Sequence, residues 1–287
     1  MRDASLIRKV DLVMWAKNGA KTLPFVLKRI DEVIPEDSVQ KRVLVDDNSA
    51  DDTREVANSF GWEVIYNEGK GISSGANTAL HHVTSDFFIS FEQDLLLARE
   101  WWQRIPTFLE DKKVAVASGV RVPNQPPALK KLQEYTLEHY RQLDMKKTDF
   151  FYGKTIDNTI YKTKIIRKLG GFPSLPASVG VDNFLAKNVI SAGFKWEVDY
   201  TMRSIHLRGS LRDELAHYYW YGASHRRISQ VLHDNPLDLK RNVLRFLFSP
   251  VKGLQVALKK NAPQVIYIYP LIRLNILRGM LGTNKAS

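Results

Sequence analysis

Two short apolar runs in this chain end in acids, and those ends are where chemistry is most readily built. Val43-Leu-Val45 leads into Asp46 and Asp47, with the small polar turn Asn48-Ser49 behind them. Phe87-Phe-Ile-Ser-Phe91 leads into Glu92, with Asp94 two positions on. Runs that short read as buried strands, and open α/β sheets bind ligands beyond the carboxyl ends of their strands. Hard divalent cations prefer carboxylate oxygens and complete their shells with phosphate oxygens and water. Two acid-tipped strands in one small domain therefore point to a divalent cation and a polar, phosphorylated ligand. Taken alone, Asp46 to Ser49 is better read as an ordinary turn and helix-cap signal.

The elements that would position these acids alternate along the first half of the chain. Asp11–Trp15 reads as the first strand, followed by a polar turn and a helix with Thr22 as N-cap, Pro24 in its first turn and an end near Val33. Strand 42–46 leads to a helix over roughly 50–60, where Ser49 and Asp52 have capping-box spacing. Glu63–Tyr66 is a third strand, 67–75 a glycine-bearing loop and Ala76–Val83 a helix. The second acid-tipped strand, a helix around Trp101–Leu109 and a strand at Val114–Val120 complete the series. Such alternation predicts a mostly parallel sheet wound with helices. Beyond Pro127 the pattern predicts helices over 128–143, 164–169, 182–192 and 211–230, with a short late strand at Trp196–Val198.

Composition limits what the chain can do. With 287 residues, 44% of them hydrophobic, it has ample material for a core. It has no cysteine, which removes disulfides, thiolate metal sites and a Cys nucleophile. The N-terminal Met1-Arg-Asp-Ala-Ser-Leu6 lacks the apolar core of a secretory signal. The net charge of +11 is concentrated at one end: beyond Asp238 there is no acid, yet nine basic residues run from Lys240 to Lys285. Basic residues interleaved with Leu, Phe and Tyr suit an interfacial segment on an anionic membrane, or a tail packed on the body with its charges in water. The loss of acids places a boundary near Asn235-Pro236.

Four motifs in order carry a resemblance over about residues 10–230. Val45-Asp-Asp-Asn-Ser49, Asn67-Glu-Gly-Lys-Gly71, Phe91-Glu-Gln-Asp94 and Val181-Asp-Asn-Phe-Leu185 together resemble the family 2 glycosyltransferases of GT-A fold. The polar start Ala16-Lys-Asn-Gly-Ala-Lys-Thr-Leu-Pro24 is similar to that family's first loop. With the basic apolar tail, the details are most like archaeal, membrane-associated members acting on lipid-linked acceptors. The resemblance implies an α/β fold of GT-A type over 1–235, a mostly parallel Rossmann-like sheet flanked by helices. A basic amphipathic helical appendage over 236–287 would then associate with the membrane, peripheral or monotopic on its cytoplasmic face. The implied reaction is metal-dependent, inverting transfer of a sugar from a UDP- or GDP-sugar donor to an acceptor, lipid-linked (a polyprenyl or dolichyl phosphate, or the glycan it carries) or a glycan.

The same resemblance assigns roles residue by residue. Asp46 and Asp47 match the diacid whose second member contacts the nucleotide, and a carboxylate suits ring N–H or ribose hydroxyl donors. Asp94 would be the main ligand of Mn²⁺ or Mg²⁺. Glu92 replaces the family's first Asp, so its longer reach leaves it to act through water or on the sugar. His206, in Ile205-His-Leu-Arg208, would complete the metal site; imidazole suits Mn²⁺ better than Mg²⁺. Asp182 matches the catalytic base, although Val181 replaces the Glu that usually precedes it, and Asp is also a favoured N-cap. Arg226 and Arg227 would neutralise the leaving diphosphate, and Lys70 is a candidate nucleotide contact. An ordinary amphipathic helix explains the arginines nearly as well.

Other function classes fit poorly. There is no Gly-x-Gly-x-x-Gly after the first strand, no Gly-x-Ser-x-Gly, no zincin His pair and no P-loop. A sugar-1-phosphate nucleotidyltransferase should have a Gly-rich basic loop after strand one, and Ala16–Lys21 is too poor in glycine. A non-catalytic membrane- or nucleic-acid-binding module is the remaining alternative. Nucleic acid is disfavoured as a partner, because the body ends its strands in acids that repel phosphates.

Overall fold

Strand β1 (Val10–Ala16) is buried at every position, as a central strand covered on both faces must be. Its one acid, Asp11, is fully enclosed and accepts hydrogen bonds from the backbone N–H and hydroxyl groups of both Thr84 and Ser85. These are seen in a computed structural model, which describes residues 9–147, 153–175, 179–208, 210–232 and 239–282. The chain forms two units: Met1–Val122 with Tyr140–Ser174 and Val181–Leu207, and Pro123–His139 with Leu175–Gly180 and Arg208–Ser287.

In the first unit, β1 is followed by α1 (Leu23–Val33), β2 (Val39–Asp46), α2 (Thr53–Ser59), β3 (Glu63–Tyr66), α3 (Gly71–His82), β4 (Phe87–Glu92), β5 (Leu95–Leu96), α4 (Trp101–Arg104) and β6 (Val114–Pro123). Helix α5 (Pro127–Asp144) comes next, then β7 (Asn158–Lys162), α6 (Thr163–Lys168), α7 (Val181–Ser191) and β8 (Lys195–His206). The sheet order is β3-β2-β1-β4-β7-β6-β8-β5. The first four strands are mutually parallel, as the alternation predicts. Strand β7 was not foreseen; it is antiparallel to both β4 and β6, so β6 runs with β4. Strand β8 is also much longer than the expected Trp196–Val198. Its second half alternates, with Met202, Ser204 and His206 buried between exposed or half-buried neighbours, while Asp199 is buried out of that phase.

Helix α1 buries Leu23, Val26, Leu27, Ile30 and Val33, which share one face at three- and four-residue spacing, against the sheet core. Each fully buried aliphatic of this kind contributes about 1.5–3 kcal/mol. Two local expectations fail. The Ser49/Asp52 capping box does not form: Asp52 makes no cap bond, while Ser49 Oγ accepts from Asn18 N at 2.9 Å. The stretch 67–75 is not all loop, because α3 already starts at Gly71.

The second unit holds the first part of α5 and α8 (Leu211–Leu232), α9 (Leu239–Leu247), α10 (Ser249–Lys260) and α11 (Val265–Leu281). The boundary expected at Asn235-Pro236 lies outside the described residues. Its core joins Leu129 and Leu132 of α5 to Val256 of α10 and Val265, Ile268 and Ile272 of α11. Helices α8 and α11 approach at two glycines. A Cβ on Gly222 would stand 2.0 Å from the Ile276 carbonyl oxygen, and one on Gly279 2.1 Å from that of Tyr219. No larger residue permits that approach. Among the described residues, no helix is long and apolar enough to cross a membrane.

Candidate functional site

The parallel register sets both acid tips on one edge of the first unit's sheet. Ala16 pairs with Asp46, and Trp15 pairs with Glu92, so β1, β2 and β4 end together. The acids then behave differently. Asp46 is buried, accepting from Ser49 N at 3.3 and 3.2 Å and from Arg54 Nη1 at 3.4 Å; it builds the turn. Asp47 is displayed beyond the strand. Its carboxylate accepts from Asn67 Nδ2 at 2.8 Å and from Gly71 N at 3.2 Å, with Lys17 Nζ 3.8 Å away. Gly71 has φ 75°, in the left-handed region, and this turns its N–H onto Asp47 at the start of α3. Lys70 stands exposed at the N-cap beside it.

The second tip is completed from far along the chain. Strand β5 pairs antiparallel with β8, Leu95 opposite His206, and Leu207 N donates to the Asp94 carbonyl at 2.7 Å. That pairing brings Glu92, Asp94 and His206 together, with one donor atom of each within 4.8 Å of the others. His206 is 4% exposed; its Nε2 lies 3.0 Å from Asp94 Oδ2 and 3.9 Å from Glu92 Oε2, yet makes no hydrogen bond among the described residues. A buried imidazole nitrogen aimed between two carboxylates without being bonded by either suits a cation ligand. Two carboxylate oxygens and one imidazole nitrogen fit Mn²⁺ better than Mg²⁺. All three metal-ligand candidates are thus brought together.

Gln93 fixes this tip to the first loop: its Oε1 accepts from Lys17 N at 2.7 Å and its Nε2 donates to Lys17 O at 2.9 Å. Gly19 makes room, since a Cβ there would come within 2.8 Å of the Gln93 amide.

Asp182 lies in the first turn of α7, which begins at Val181, so it is not the N-cap; its Oδ1 accepts from Asn183 N at 2.8 Å. Burial pushes its carboxyl above the ordinary value, opposed by Arg121 and the Asn183 N–H and reinforced by Asp157. Arg121 and Asp157 are functional candidates that reading the sequence missed. Arg121 Nη1 is 2.6 Å from Asp157 Oδ2 and 3.7 Å from Glu92 Oε2, so one guanidinium serves acids on two segments. The available signal was an Arg inside the apolar run Val114–Pro123, which burial obliges to find an acid partner. Arg226 and Arg227 lie on α8 of the second unit, and Arg226 Nη1 donates to the Gly282 carbonyl just beyond α11.

The model of Glycosyl transferase family 2 matches residues 11–170. The O-antigen chain rhamnosyltransferase WbaN of Salmonella anatum is 24% identical over 196 residues, 64% of this chain and 62% of that protein's length. The chain therefore spans under two thirds of that curated relative. The mannosyltransferase PcManGT from Pyrobaculum calidifontis, solved with GDP-Man and Mn²⁺, superposes with a TM-score of 0.62 at 18% identity, covering 98% of this chain and 78% of that one. Glucosyl-3-phosphoglycerate synthase from Mycobacterium tuberculosis, solved with Mn²⁺, UDP and glucosyl-3-phosphoglycerate, gives 0.53 at 16% identity, over 79% and 81%. At these identities the likeness is one of fold.

Proposed function

The chain belongs to glycosyl transferase family 2, and on that premise we propose that it transfers a sugar, with inversion, from a nucleotide diphosphate sugar to a hydroxyl of a lipid-linked glycan. The observation that carries this reading is the Glu92–Asp94–His206 cluster, on the same sheet edge as Asp47. A divalent cation held by those residues would supply positive charge to the donor's diphosphate. Asp47, oriented by Asn67 and the Gly71 N–H, keeps lone pairs for nucleotide hydroxyl or ring N–H donors. GDP-Man and UDP in the two neighbouring structures put GDP- and UDP-sugars first among donors to try.

Asp182 is the base in this reading. Its raised pKa suits taking a proton from the acceptor hydroxyl as that oxygen bonds to the anomeric carbon. The bond from that carbon to the diphosphate breaks on the opposite face, and the diphosphate leaves with the electron pair. A phosphate acceptor, already ionised, would have no use for such a base, which is why a hydroxyl is preferred. The basic, apolar end of the chain supports a lipid-linked carrier for it.

A thermal-shift panel of GDP-, UDP- and dTDP-sugars with Mn²⁺ tests the donor part. At about one hundred times Kd, the matching donor should add about 2.7 kcal/mol of stability. Asp94→Asn should abolish the Mn²⁺-dependent part of the shift; no shift with any nucleotide would count against the reading.

A further inference from the structure

Helices α9 and α10 wear their large apolar side chains on the outside. Leu244, Leu247, Phe248, Val251, Leu254 and Leu258 are between 47 and 76% exposed. The inward positions of the same helices are Asn242, Ser249, Gly253, Val256 and Ala257, all small or polar but for one valine. Close packing requires this: a Cβ on Gly253 would stand 3.0 Å from the Val265 carbonyl of α11. A helix bathed only in water has the opposite arrangement, with its large apolar face in the core.

The exposed residues recur every three or four positions, and the joint between the helices does not interrupt them. Phe248 N donates to the Leu244 carbonyl at 3.0 Å, and Lys252 N donates to the Phe248 carbonyl at 3.1 Å, so helical turns continue through it. Positions 239–258 thus form an apolar stripe about 30 Å long at 1.5 Å per residue. Interleaved with it are Lys240, Arg241, Arg245 and Lys259, all exposed, and no acid follows Asp238.

We propose that the α9–α10 stripe lies in the surface of an anionic lipid bilayer, its Leu, Phe and Val side chains among the acyl chains and its cations at the headgroups. Charge selects this occupant. A second copy of the chain on the same stripe would set Lys240, Arg241, Arg245 and Lys259 against their own counterparts, and Glu138, an acid that pairs with these helices, is already engaged by Lys260; an anionic leaflet complements the cations instead. The helices then lie in the membrane plane, in keeping with the lack of a spanning helix among the described residues. The proposal does not depend on the reaction described above.

The test is co-sedimentation of the full chain with vesicles of phosphatidylcholine, with or without about 30% phosphatidylserine. The triple variant Leu247→Glu/Phe248→Glu/Leu258→Glu changes only exposed positions; its circular dichroism and any donor-induced thermal shift should match the parent. Wild type should sediment with the anionic vesicles and lose most binding at about 0.5 M salt. The variant should bind at least about tenfold more weakly. Equal binding by variant and parent, equal binding to vesicles without phosphatidylserine, or no binding by wild type would each overturn the proposal. So would self-association that the variant relieves in the absence of vesicle binding, which would give the stripe to a second copy.

Discussion

In the proposed reaction Asp182 and Asp94 have different work, and single substitutions should separate them. Asp182→Asn keeps the shape but cannot accept a proton, so transfer should fall at least about a hundredfold while donor affinity holds. Single-turnover kinetics beside a donor titration would show it; near-normal turnover would remove Asp182 from the role. Its raised pKa also has a sign for stability. The folded carboxyl is harder to ionise than the unfolded one, so its contribution is most favourable below the ordinary carboxylate value and is lost as pH rises through the raised one. At neutral pH, Asp182→Asn should therefore melt higher than the parent while failing to transfer. In the parent, the acid limb of the kcat/KM profile should lie above the ordinary aspartate range. Asp47 and Asp94 were legible as residues because strands deliver them. Asp46 was legible too, but there the turn signal described its work better, since its oxygens are used within the turn.

At the scale of elements, what could be read was local and what could not was long-range. Strands β1, β2 and β4 announce themselves as apolar runs, and the parallel register follows from their alternation with helices. Strand β7 is short, and Asn158 and Lys162 at its ends leave only Thr159, Ile160 and Tyr161 to signal a strand. His206 joins Glu92 and Asp94 because β5 and β8 pair, a contact across 111 positions that no local pattern encodes. The Arg121–Asp157 pair is hidden for the same reason. Arg121→Ala leaves Asp157 enclosed without its partner and should cost about 3–5 kcal/mol, measurable by urea unfolding. Removing both, as Arg121→Met/Asp157→Leu, should cost far less. Gly71→Ala tests the turn that orients Asp47: a left-handed φ costs an L residue about 1–2 kcal/mol. Donor affinity should fall with it, and an unchanged affinity would detach Asp47 from the nucleotide.

Across the whole molecule, an acid-lined sheet edge in the first unit accompanies a second unit whose tail helices carry no acid and an outward apolar stripe. The charge asymmetry was plain in the sequence, as was the alternation behind the GT-A type sheet. What composition could not show is how the tail is held: its core residues are shared with α5, and glycines bring α11 against α8. That construction explains why the large side chains of α9 and α10 face outward, since small residues are needed inside. The most direct test of the central claim is Mn²⁺-dependent release of nucleoside diphosphate from GDP- and UDP-sugars by wild type beside Asp94→Asn. Release that requires Mn²⁺ and falls at least about a hundredfold in the variant is the predicted result. Release that is indifferent to Mn²⁺, or equal in the two proteins, would contradict it.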